Sequence, residues 1–353
     1  MPAIPSLVIN DFLPRFQLLN HRGRVSDLFR HALGKPIFLV FLRGPLEEAP
    51  SELLTALAGL AAGSEAQALF MMVTERGPEE NAALAERFAL PFLVLSDNEG
   101  QLMALLPAAT SAPGEGRLSV VLSDANRRVL KIEPEVTGPA RLEALLDGLG
   151  KPDPGAAEVV RPIAPVLYVP RVLDRSQCQS LIDLYHSGGS APTGIKRDAG
   201  EQFGGHLDSE IKIRRDHVIT DPLQARPLGA IIGKRIVTEI FKAFSFRVKY
   251  VKEFKVSCYG AEEKGFFLPH RDNYSETGGR RFAMSLNLNT EDYDGGHLRF
   301  PEYGPELYRP ATCDAVIFSC YLVHEALPVT RGERFVLLTF FYGDEGEGQG
   351  KPG

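Results

Sequence analysis

The stretch that decides the fold of the C-terminal half is DAVIFSCYLVHEALPVTRGERFVLLTFFYG, residues 314–343. It contains two apolar runs, DAVIFSC and RFVLLTFFYG, and His324 lies between them. Short runs rich in Val, Ile, Phe and Tyr, bounded by Pro and Gly, are typical of buried β-strands. The stretch therefore predicts two strands with a histidine in the segment that connects them.

Further strand-like runs precede this stretch at short intervals. They are FRVKYVKEFKVSCY (246–259), RRFAMSLNLN (280–289) and GHLRF (296–300). Many short strands separated by turn residues are typical of a β-sandwich, a barrel or a jelly roll. We therefore expect a mainly β domain in the C-terminal half.

Two helices are predicted on the N-terminal side of these strands. Over residues 173–189, Asp174 and Gln177 have the spacing of a capping box and an apolar stripe follows them. A second helix is predicted from about 221 to 244, with a break near Pro227. Basic residues are concentrated over 234–255, and we expect them to form a solvated face of helix and strand and not a track for nucleic acid.

The first half of the chain shows a different pattern from residue 36 onward. Short apolar runs alternate with amphipathic ones, in the order PIFLVFL, SELLTALAGLAAG, QALFMMVT, PEENAALAERF and PFLVLS. Strand and helix signals that take turns in this way indicate an α/β domain with a parallel or mixed sheet. A hairpin is expected over 117–132 and a closing helix over 139–149.

These patterns divide the 353-residue chain into two domains. We predict an α/β domain over 1–150, a linker rich in Pro, Gly and Ala over 151–162, a mainly β domain over 163–345 and a disordered tail over 346–353.

Composition restricts the class of protein. The chain is 44% hydrophobic and 24% charged, with a net charge of −6, which is typical of a soluble globular protein. No apolar run reaches the roughly 18 residues of a membrane span, and the N-terminus lacks the features of a secretory signal. The four cysteines form no C-x-x-C pair, so we expect reduced, buried thiols and a cytoplasmic protein.

A candidate metal site is present in LPHRDNYS, residues 268–275. Residues two apart on a strand point to the same face, so His270 and Asp272 could bind one ion. A 2-His-1-carboxylate set holds Fe(II) and leaves coordination positions open, and His324 is the candidate for the second histidine. A second His-x-Asp, His206-x-Asp208, precedes the predicted strands, and we expect it to lie on the surface or near the substrate.

Three segments of the C-terminal half resemble one known family, and the agreement in their order and spacing makes this resemblance specific. The segments VSCYGAEEKGFFLPHRDN, LNLNTEDYDGGHLRFPEYG and LYRPATCDAVIFSCYLVHEALPVTRGERFVLLTFFYG resemble the catalytic domain of the Fe(II)/2-oxoglutarate dioxygenases of the prolyl 4-hydroxylase type. The segment APVLYVPRVLDRSQCQSLIDLY resembles the N-terminal lead-in of the same family, so the resemblance spans about 163 to 344. It implies a double-stranded β-helix, or jelly roll.

The resemblance also implies the roles of particular residues. His270, Asp272 and His324 would bind Fe(II), Arg334 would bind the distal carboxylate of the co-substrate 2-oxoglutarate, and Tyr259 would contact the same carboxylate. The reaction implied is hydroxylation of a C–H bond with release of succinate and CO2, and ascorbate is a further cofactor that fits the family.

The substrate and several residues stay open at this point. A prolyl or other amino-acid residue of a peptide or protein, a free amino acid and another small molecule are all compatible with the resemblance, as is a homo-oligomer. A nucleic-acid substrate is disfavoured, and a catalytically silent binding module is the alternative of a different class. Arg280 and Arg281 are equally compatible with substrate contacts and with charges at a strand edge, and His297 is expected to be structural.

The first 150 residues resemble a second family. NDFLPRFQLLNHRGRVSDLFRHALGKPIFLVFLRG is similar to the opening of a peroxiredoxin, a thiol peroxidase with a thioredoxin fold, and Arg117 before SVVLSDANRRV resembles its arginine-strand-hairpin segment. Peroxidase chemistry needs a cysteine thiolate after the first core strand, near Ala49 in this chain. No cysteine precedes Cys178. We therefore expect a docking or stabilising role and no peroxidase activity.

Overall fold

The computed structural model describes residues 6–32, 34–44, 50–64, 67–106, 117–149, 163–192, 211–273 and 279–343. The chain divides into two compact units, Met1–Ala157 and Glu158–Gly353. The predicted linker and tail, Ala49 and the His206-x-Asp208 pair lie outside the described residues, so those expectations remain predictions.

The first unit is built on a mixed sheet of seven strands in the order β2-β1-β5-β4-β3-β6-β7. The strands are β1 (Gln17–Asn20), β2 (Val25–Asp27), β3 (Ile37–Arg43), β4 (Leu69–Thr74), β5 (Leu93–Ser96), β6 (Arg117–Ser123) and β7 (Val129–Glu133). The helices are α1 (Leu28–His31), α2 (Ser51–Gly63), α3 (Pro78–Arg87) and α4 (Pro139–Asp147), with a 3-10 turn at Met103–Leu105.

Strands β3, β4 and β5 run parallel, whereas β6 and β7 form the predicted antiparallel hairpin at the edge of the sheet. Apolar residues of α2, α3 and α4 share one core with the strands, including Leu54, Leu57, Leu84 and Leu142. A strand-helix-strand unit followed by a hairpin and a closing helix is the thioredoxin-like α/β arrangement predicted for this half, so that prediction is confirmed.

The second unit contains fourteen described strands, beginning with β8 (Leu167–Val169), β9 (Ala191–Pro192), β10 (Lys212–Ile213), β11 (Arg215–Val218), β12 (Tyr250–Gly260), β13 (Phe266–His270) and β14 (Arg280–Asn287). The others are β15 (Asp294–Gly295), β16 (Leu298–Arg299), β17 (Leu307–Tyr308), β18 (Ala315–Ser319), β19 (His324–Ala326), β20 (Val329–Arg331) and β21 (Glu333–Tyr342). Three helices accompany them, α5 (Arg175–Gly188), α6 (Pro222–Ile232) and α7 (Thr238–Phe244), and a 3-10 turn covers Thr290–Asp292.

Two antiparallel sheets form the body of this unit, as the jelly-roll prediction requires. The larger sheet has the order β8-β18-β14-β21-β12-β11-β9 and the smaller one β10-β13-β19-β16-β17, while β15 and β20 form a separate ribbon. Side chains alternate along each strand because the backbone is pleated. On β21, Phe335 and Leu337 therefore join the core that includes the three helices, whereas Val336 joins the core that includes residues of the smaller sheet.

Helix α5 begins as predicted. Asp174 caps it by accepting a hydrogen bond from the backbone N–H of Gln177, and the Gln177 side chain accepts one from the backbone N–H of Asp174 at 3.0 Å. This reciprocal pair satisfies two backbone donors that a helix start otherwise leaves free.

Two details differ from the sequence prediction. The helical segment from 222 to 244 is interrupted by a π turn at Gly233–Val237 and continues through Pro227. Within the basic run, Arg235 is buried, and its Nη1 donates to the carbonyl oxygen of Val172 at 2.7 Å. The expectation of a fully solvated basic face was therefore wrong at this residue, because one guanidinium serves as an internal hydrogen-bond donor.

Candidate metal centre

Three predicted ligands come together where two neighbouring interior strands of the smaller sheet meet solvent-side loops at their ends. His270 is the last residue of β13 and pairs in register with His324, the first residue of β19. Asp272 lies two residues beyond the end of β13, and its backbone N–H donates to the carbonyl oxygen of Cys320 at 3.1 Å. One ligand atom from each of the three side chains lies within 4.8 Å of the other two.

The carboxylate of Asp272 lies between the two imidazoles. Its Oδ1 is 3.5 Å from Nε2 of His270, and its Oδ2 is 3.4 Å from Nε2 of His324. Two nitrogens and one carboxylate that converge on one point form the donor set that suits Fe(II) with open coordination positions.

The backbone fixes the orientation of both imidazoles. Nδ1 of His270 lies 2.8 Å from the carbonyl oxygen of Leu268, and Nδ1 of His324 lies 3.1 Å from that of Leu322. A carbonyl oxygen can only accept, so each Nδ1 carries a proton and donates it. Nε2 of each ring therefore faces Asp272, and once it has lost its proton its lone pair is the one available to a metal ion.

Burial and charge place these groups in ligand-competent protonation states. Burial lowers the pKa of His270, and the neighbouring His324 lowers it further. Burial also favours the neutral form of Asp272, but attraction to His324 and hydrogen bonds from both imidazoles hold the pKa of this carboxyl well below its usual range. Asp272 therefore favours its ionised form, and His270 loses its proton more readily than a free histidine, as metal binding requires.

The three side chains line a cavity of about 260 Å³. Its wall beside them is aromatic: the ring of Phe267 stacks on His270 with centroids 3.4 Å apart, and the ring centroid of Phe318 is 4.5 Å from that of His324. Aromatic and apolar walls exclude water, which strengthens the electrostatic interactions inside the cavity.

Arg334 and Tyr259 line the same cavity. They are register partners on β21 and β12, and the guanidinium carbon of Arg334 lies 5.3 Å from the centroid of the Tyr259 ring. The two residues predicted to bind one carboxylate are therefore neighbours on adjacent strands.

The guanidinium of Arg334 is buried and poorly compensated. Its side chain is only 2% exposed, and its Nη2 makes long hydrogen bonds, 3.3 Å to Oγ of Ser285 and 3.4 Å to Oδ1 of Asn287. Within the described residues its Nε has no hydrogen-bond partner and no carboxylate forms an ion pair with it. A buried cation without a counter-ion is costly, so this cavity fits a ligand that brings a carboxylate.

A glycine makes room for this arginine. Gly296 has a φ of +62°, and a Cβ at this position would lie 2.8 Å from Cδ of Arg334. The neighbouring His297 is half-buried and is absent from the described lining of the cavity, as is Arg281, whereas Arg280 lines it.

Sequence reasoning missed a second polar group in the cavity wall. Lys212, on β10, lines the cavity together with Arg214. Arg214 forms a two-pronged ion pair with Asp216, with both N–O distances 2.7 Å, and its Nη1 donates to the Tyr259 hydroxyl at 3.2 Å. The alternation of Lys212, Arg214 and Asp216 was the available signal, since residues two apart on extended chain share a face.

Comparisons with known proteins agree with this geometry. Residues 254–342 match the sequence model of the family described as the 2OG-Fe(II) oxygenase superfamily. The rat protein named multifunctional procollagen lysine hydroxylase and glycosyltransferase LH3 is 25% identical over 188 residues, which are 53% of this chain and 24% of that protein. The chain thus spans about a quarter of the length of the curated relatives that it matches first.

Solved structures resemble each unit separately. A Pseudomonas putida prolyl-4-hydroxylase covers 51% of this chain and 93% of its own, with a TM-score of 0.40 and 20% identity. The peroxidoxin BcpB from Mycobacterium tuberculosis covers 40% of this chain and 95% of its own, with a TM-score of 0.33 and 20% identity.

The segment 254–342 is therefore a 2OG-Fe(II) oxygenase domain. It contains all three predicted metal ligands together with Arg334 and Tyr259. Among the described residues, no helix has both the length and the apolar character needed to cross a membrane.

Proposed function

We propose that this protein is an Fe(II)- and 2-oxoglutarate-dependent dioxygenase that hydroxylates a C–H bond and releases succinate and CO2. The observation that carries the proposal is the convergence of His270, Asp272 and His324 within 4.8 Å, at the edge of a cavity whose wall includes the uncompensated Arg334. In this proposal the first three residues hold Fe(II), and Arg334 with Tyr259 binds the distal carboxylate of 2-oxoglutarate.

When bound, the iron supplies the activation of oxygen that hydroxylation of an unactivated C–H bond requires. The residues of the chain provide position and charge. The carbonyl oxygens of Leu268 and Leu322 hold the two imidazoles in place, and Asp272 supplies one negative charge to the metal. Arg334 neutralises the far end of 2-oxoglutarate, and Phe267 and Phe318 limit the access of water.

For the substrate we propose a prolyl or other amino-acid residue, with a free amino acid or another small molecule as the alternative. Support comes from the first curated relatives, which are named as procollagen lysine hydroxylases and 5-dioxygenases. Because this chain matches only a part of each of them, the substrate is inferred by analogy of the site alone.

The test measures Fe(II) binding and succinate formation. Anaerobically iron-loaded protein is exposed to air with 2-oxoglutarate, with and without ascorbate, and with peptides or free amino acids. We expect wild-type protein to form succinate and His270→Ala or His324→Ala protein to form none. His186→Ala is the matched control, because this histidine is exposed and lies outside the cavity lining.

Wild-type protein that binds no Fe(II) under these conditions would contradict the proposal and favour the silent binding module. Succinate formation that persists in His324→Ala protein would show that the ligand set is wrong.

For the first unit we propose a docking or stabilising role in a cytoplasmic enzyme. Its fold is thioredoxin-like, but the chain has no cysteine before Cys178 to attack a peroxide. All four cysteines are free and buried in the structure, as a protein with reduced thiols would have them.

A further inference from the structure

We propose that the substrate carries a carboxylate group and that Lys212 binds it. This inference rests on the proposed function and names the class of substrate that the same cavity would take. Lys212 is not one of the three proposed metal ligands, and it is not one of the two residues, Arg334 and Tyr259, proposed to bind 2-oxoglutarate.

Lys212 is placed close to the metal centre by strand pairing. It lies on β10 opposite Phe267 of β13, and its Nζ is 4.9 Å from the centroid of the Phe267 ring. His270 stacks on the same ring, and the guanidinium carbon of Arg214 lies 6.0 Å from its centroid. Lys212 and His270 thus contact one aromatic ring and line one cavity, so a substrate bound at Lys212 would lie in the cavity of the metal centre.

No carboxylate of the described residues lies within ion-pair distance of the ammonium group, although Asp216 and Asp272 attract it from farther away. Lys212 is only 8% exposed, yet within the described residues it forms no ion pair or hydrogen bond through Nζ. Burial, followed by repulsion from Arg214, lowers the pKa of Lys212 to about 7. Lysines are seldom buried without a partner, so a residue held in this way is a candidate for pairing with a ligand.

Apart from Arg334, the other cations of the wall have carboxylate partners. Arg214 is paired with Asp216, and Arg280 contacts Glu253 through Nη2 at 2.8 Å and 3.0 Å. Lys255 shares the same Glu253 at 3.2 Å. One carboxylate therefore serves two cations there, and the wall keeps an excess of positive charge in addition to Lys212.

The type of cation favours a carboxylate over a larger anion. A phosphate group is held best by arginine forks, which donate two parallel hydrogen bonds. The forks of Arg214 and Arg280 are directed at Asp216 and Glu253, so they are not available. A single ammonium group at the end of a flexible stem matches a single negative charge.

Such a carboxylate could belong to a free amino acid, to the C-terminus of a peptide or to an acidic side chain. Matched probes separate these sources. Each free amino acid is compared with its amide, each peptide with a free C-terminus is compared with its amidated form, and each glutamate-containing peptide is compared with its glutamine counterpart.

The experiment uses full-length protein with three variants. Lys212→Met removes the charge at similar length, Lys212→Arg keeps it, and Lys242→Met is the control because Lys242 is exposed on α7 outside the cavity lining. Stimulation of succinate formation by each probe is measured in air. Binding of the same probes to Mn(II)- and 2-oxoglutarate-loaded protein is measured by calorimetry under nitrogen.

For wild-type protein, we expect at least one carboxylate probe to bind and to stimulate turnover while its neutral partner does not. Lys212→Met should weaken binding of that probe by about tenfold or more, as expected for the loss of one charge-assisted hydrogen bond. Lys212→Arg should restore part of the affinity, and the KM for 2-oxoglutarate should stay unchanged in both variants.

Three outcomes would overturn the inference. Neutral and charged probes that bind equally would exclude a carboxylate requirement, and unchanged affinity in Lys212→Met protein would exclude Lys212. A raised KM for 2-oxoglutarate in that variant would assign Lys212 to the co-substrate. Failure of the proposed function itself is distinguishable, because wild-type protein would then neither bind Fe(II) nor form succinate without any probe.

Discussion

Replacing Arg334 with methionine is expected to weaken 2-oxoglutarate binding without destabilising the fold. Arg334 is 2% exposed, and its Nη2 has two hydrogen bonds of 3.3 Å and 3.4 Å, at or beyond the long end of the usual range. Replacement of even a buried ion pair by well-packed apolar side chains is often neutral or stabilising by about 1–4 kcal/mol, and a buried charge without a carboxylate partner has less favourable interaction to lose. The Arg334→Met protein should therefore have a Tm equal to or above that of the wild type.

The effect on the ligand should be large. A carboxylate held by a buried arginine accepts two charge-assisted hydrogen bonds, each of which contributes about 1.5–3 kcal/mol. Loss of the pair therefore raises the Kd of 2-oxoglutarate by about 100-fold or more, at about 1.4 kcal/mol for each factor of ten. Fe(II) binding should be unchanged, because the metal ligands are on other strands.

The assay combines calorimetry of 2-oxoglutarate binding to Mn(II)-loaded protein with thermal unfolding. Arg235→Met is the matched control: Arg235 is also buried, but it donates to the carbonyl oxygen of Val172. Its loss should lower the stability by about 1–3 kcal/mol, since that acceptor is left unsatisfied, and should leave the affinity for 2-oxoglutarate unaffected. A wild-type Kd in Arg334→Met protein, or a Tm several degrees below the wild type, would refute the reasoning.

Three further predictions follow from the same site and from the first unit. Gly296→Ala should also raise the Kd of 2-oxoglutarate and leave Fe(II) binding unchanged. The backbone at this position has a φ of +62°, and the new Cβ would lie 2.8 Å from Cδ of Arg334, so it must displace that side chain. Unchanged affinity for 2-oxoglutarate would show that the arginine can adjust. Asp216→Asn should destabilise the protein by leaving Arg214 without its buried partner, and the difference from the wild type should shrink as the pH falls from about 4 towards 2 in denaturant titrations. Burial raises the pKa of Asp216, but Arg214 outweighs this effect and lowers the pKa from 3.8 in the unfolded chain to about 2 in the fold. The ion pair therefore stabilises the fold fully above the pKa of the unfolded chain, and this stabilisation is lost as the pH falls through the pKa of the folded protein. A difference in stability that does not depend on pH would contradict this. Finally, full-length protein should not reduce hydrogen peroxide with a thiol donor at a rate above that of a Cys178→Ala/Cys258→Ala/Cys313→Ala/Cys320→Ala variant, and any excess would mean that one of the four buried thiols is reactive.

The sequence pointed to the cluster of His270, Asp272 and His324 but missed other residues of the cavity, and the reason is local. His270 and Asp272 are two residues apart on extended chain, and His324 lies between two strong strand signals. Their convergence depends on the pairing of β13 with β19, which is separated by more than fifty residues of chain and has a register shift between Phe267 and His270. Periodicity gives the face of a residue within a strand, but the partner strand is set by tertiary packing.

Lys212 and Arg235 show why other residues were missed. Strand β10 has only two residues, so the alternation of Lys212, Arg214 and Asp216 does not stand out as a strand signal. Arg235 lies in a run of basic residues that an amphipathic pattern assigns to solvent, yet the π turn at Gly233–Val237 shifts the helical phase, and the side chain is buried. Such insertions cannot be recognised from composition, because they change the periodicity on which the prediction depends.

The buried cations of the cavity differ in the origin of their negative partners, and this difference couples stability to ligand binding. Arg214 is compensated by Asp216 within the fold, so its contribution is present whether or not a ligand is bound. Arg334 and Lys212 form no ion pair within the described residues, so we expect each buried charge to lower the stability of the protein when no ligand is bound. A ligand that supplies the missing charge binds only the folded state and recovers that cost, which raises Tm as its concentration increases. Therefore 2-oxoglutarate should stabilise wild-type protein but hardly affect Arg334→Met protein, whereas a carboxylate substrate should stabilise wild-type and Arg334→Met protein but not Lys212→Met protein. If both ligands together raise the Tm of wild-type protein no more than either ligand alone, the two ligands compete for one cation.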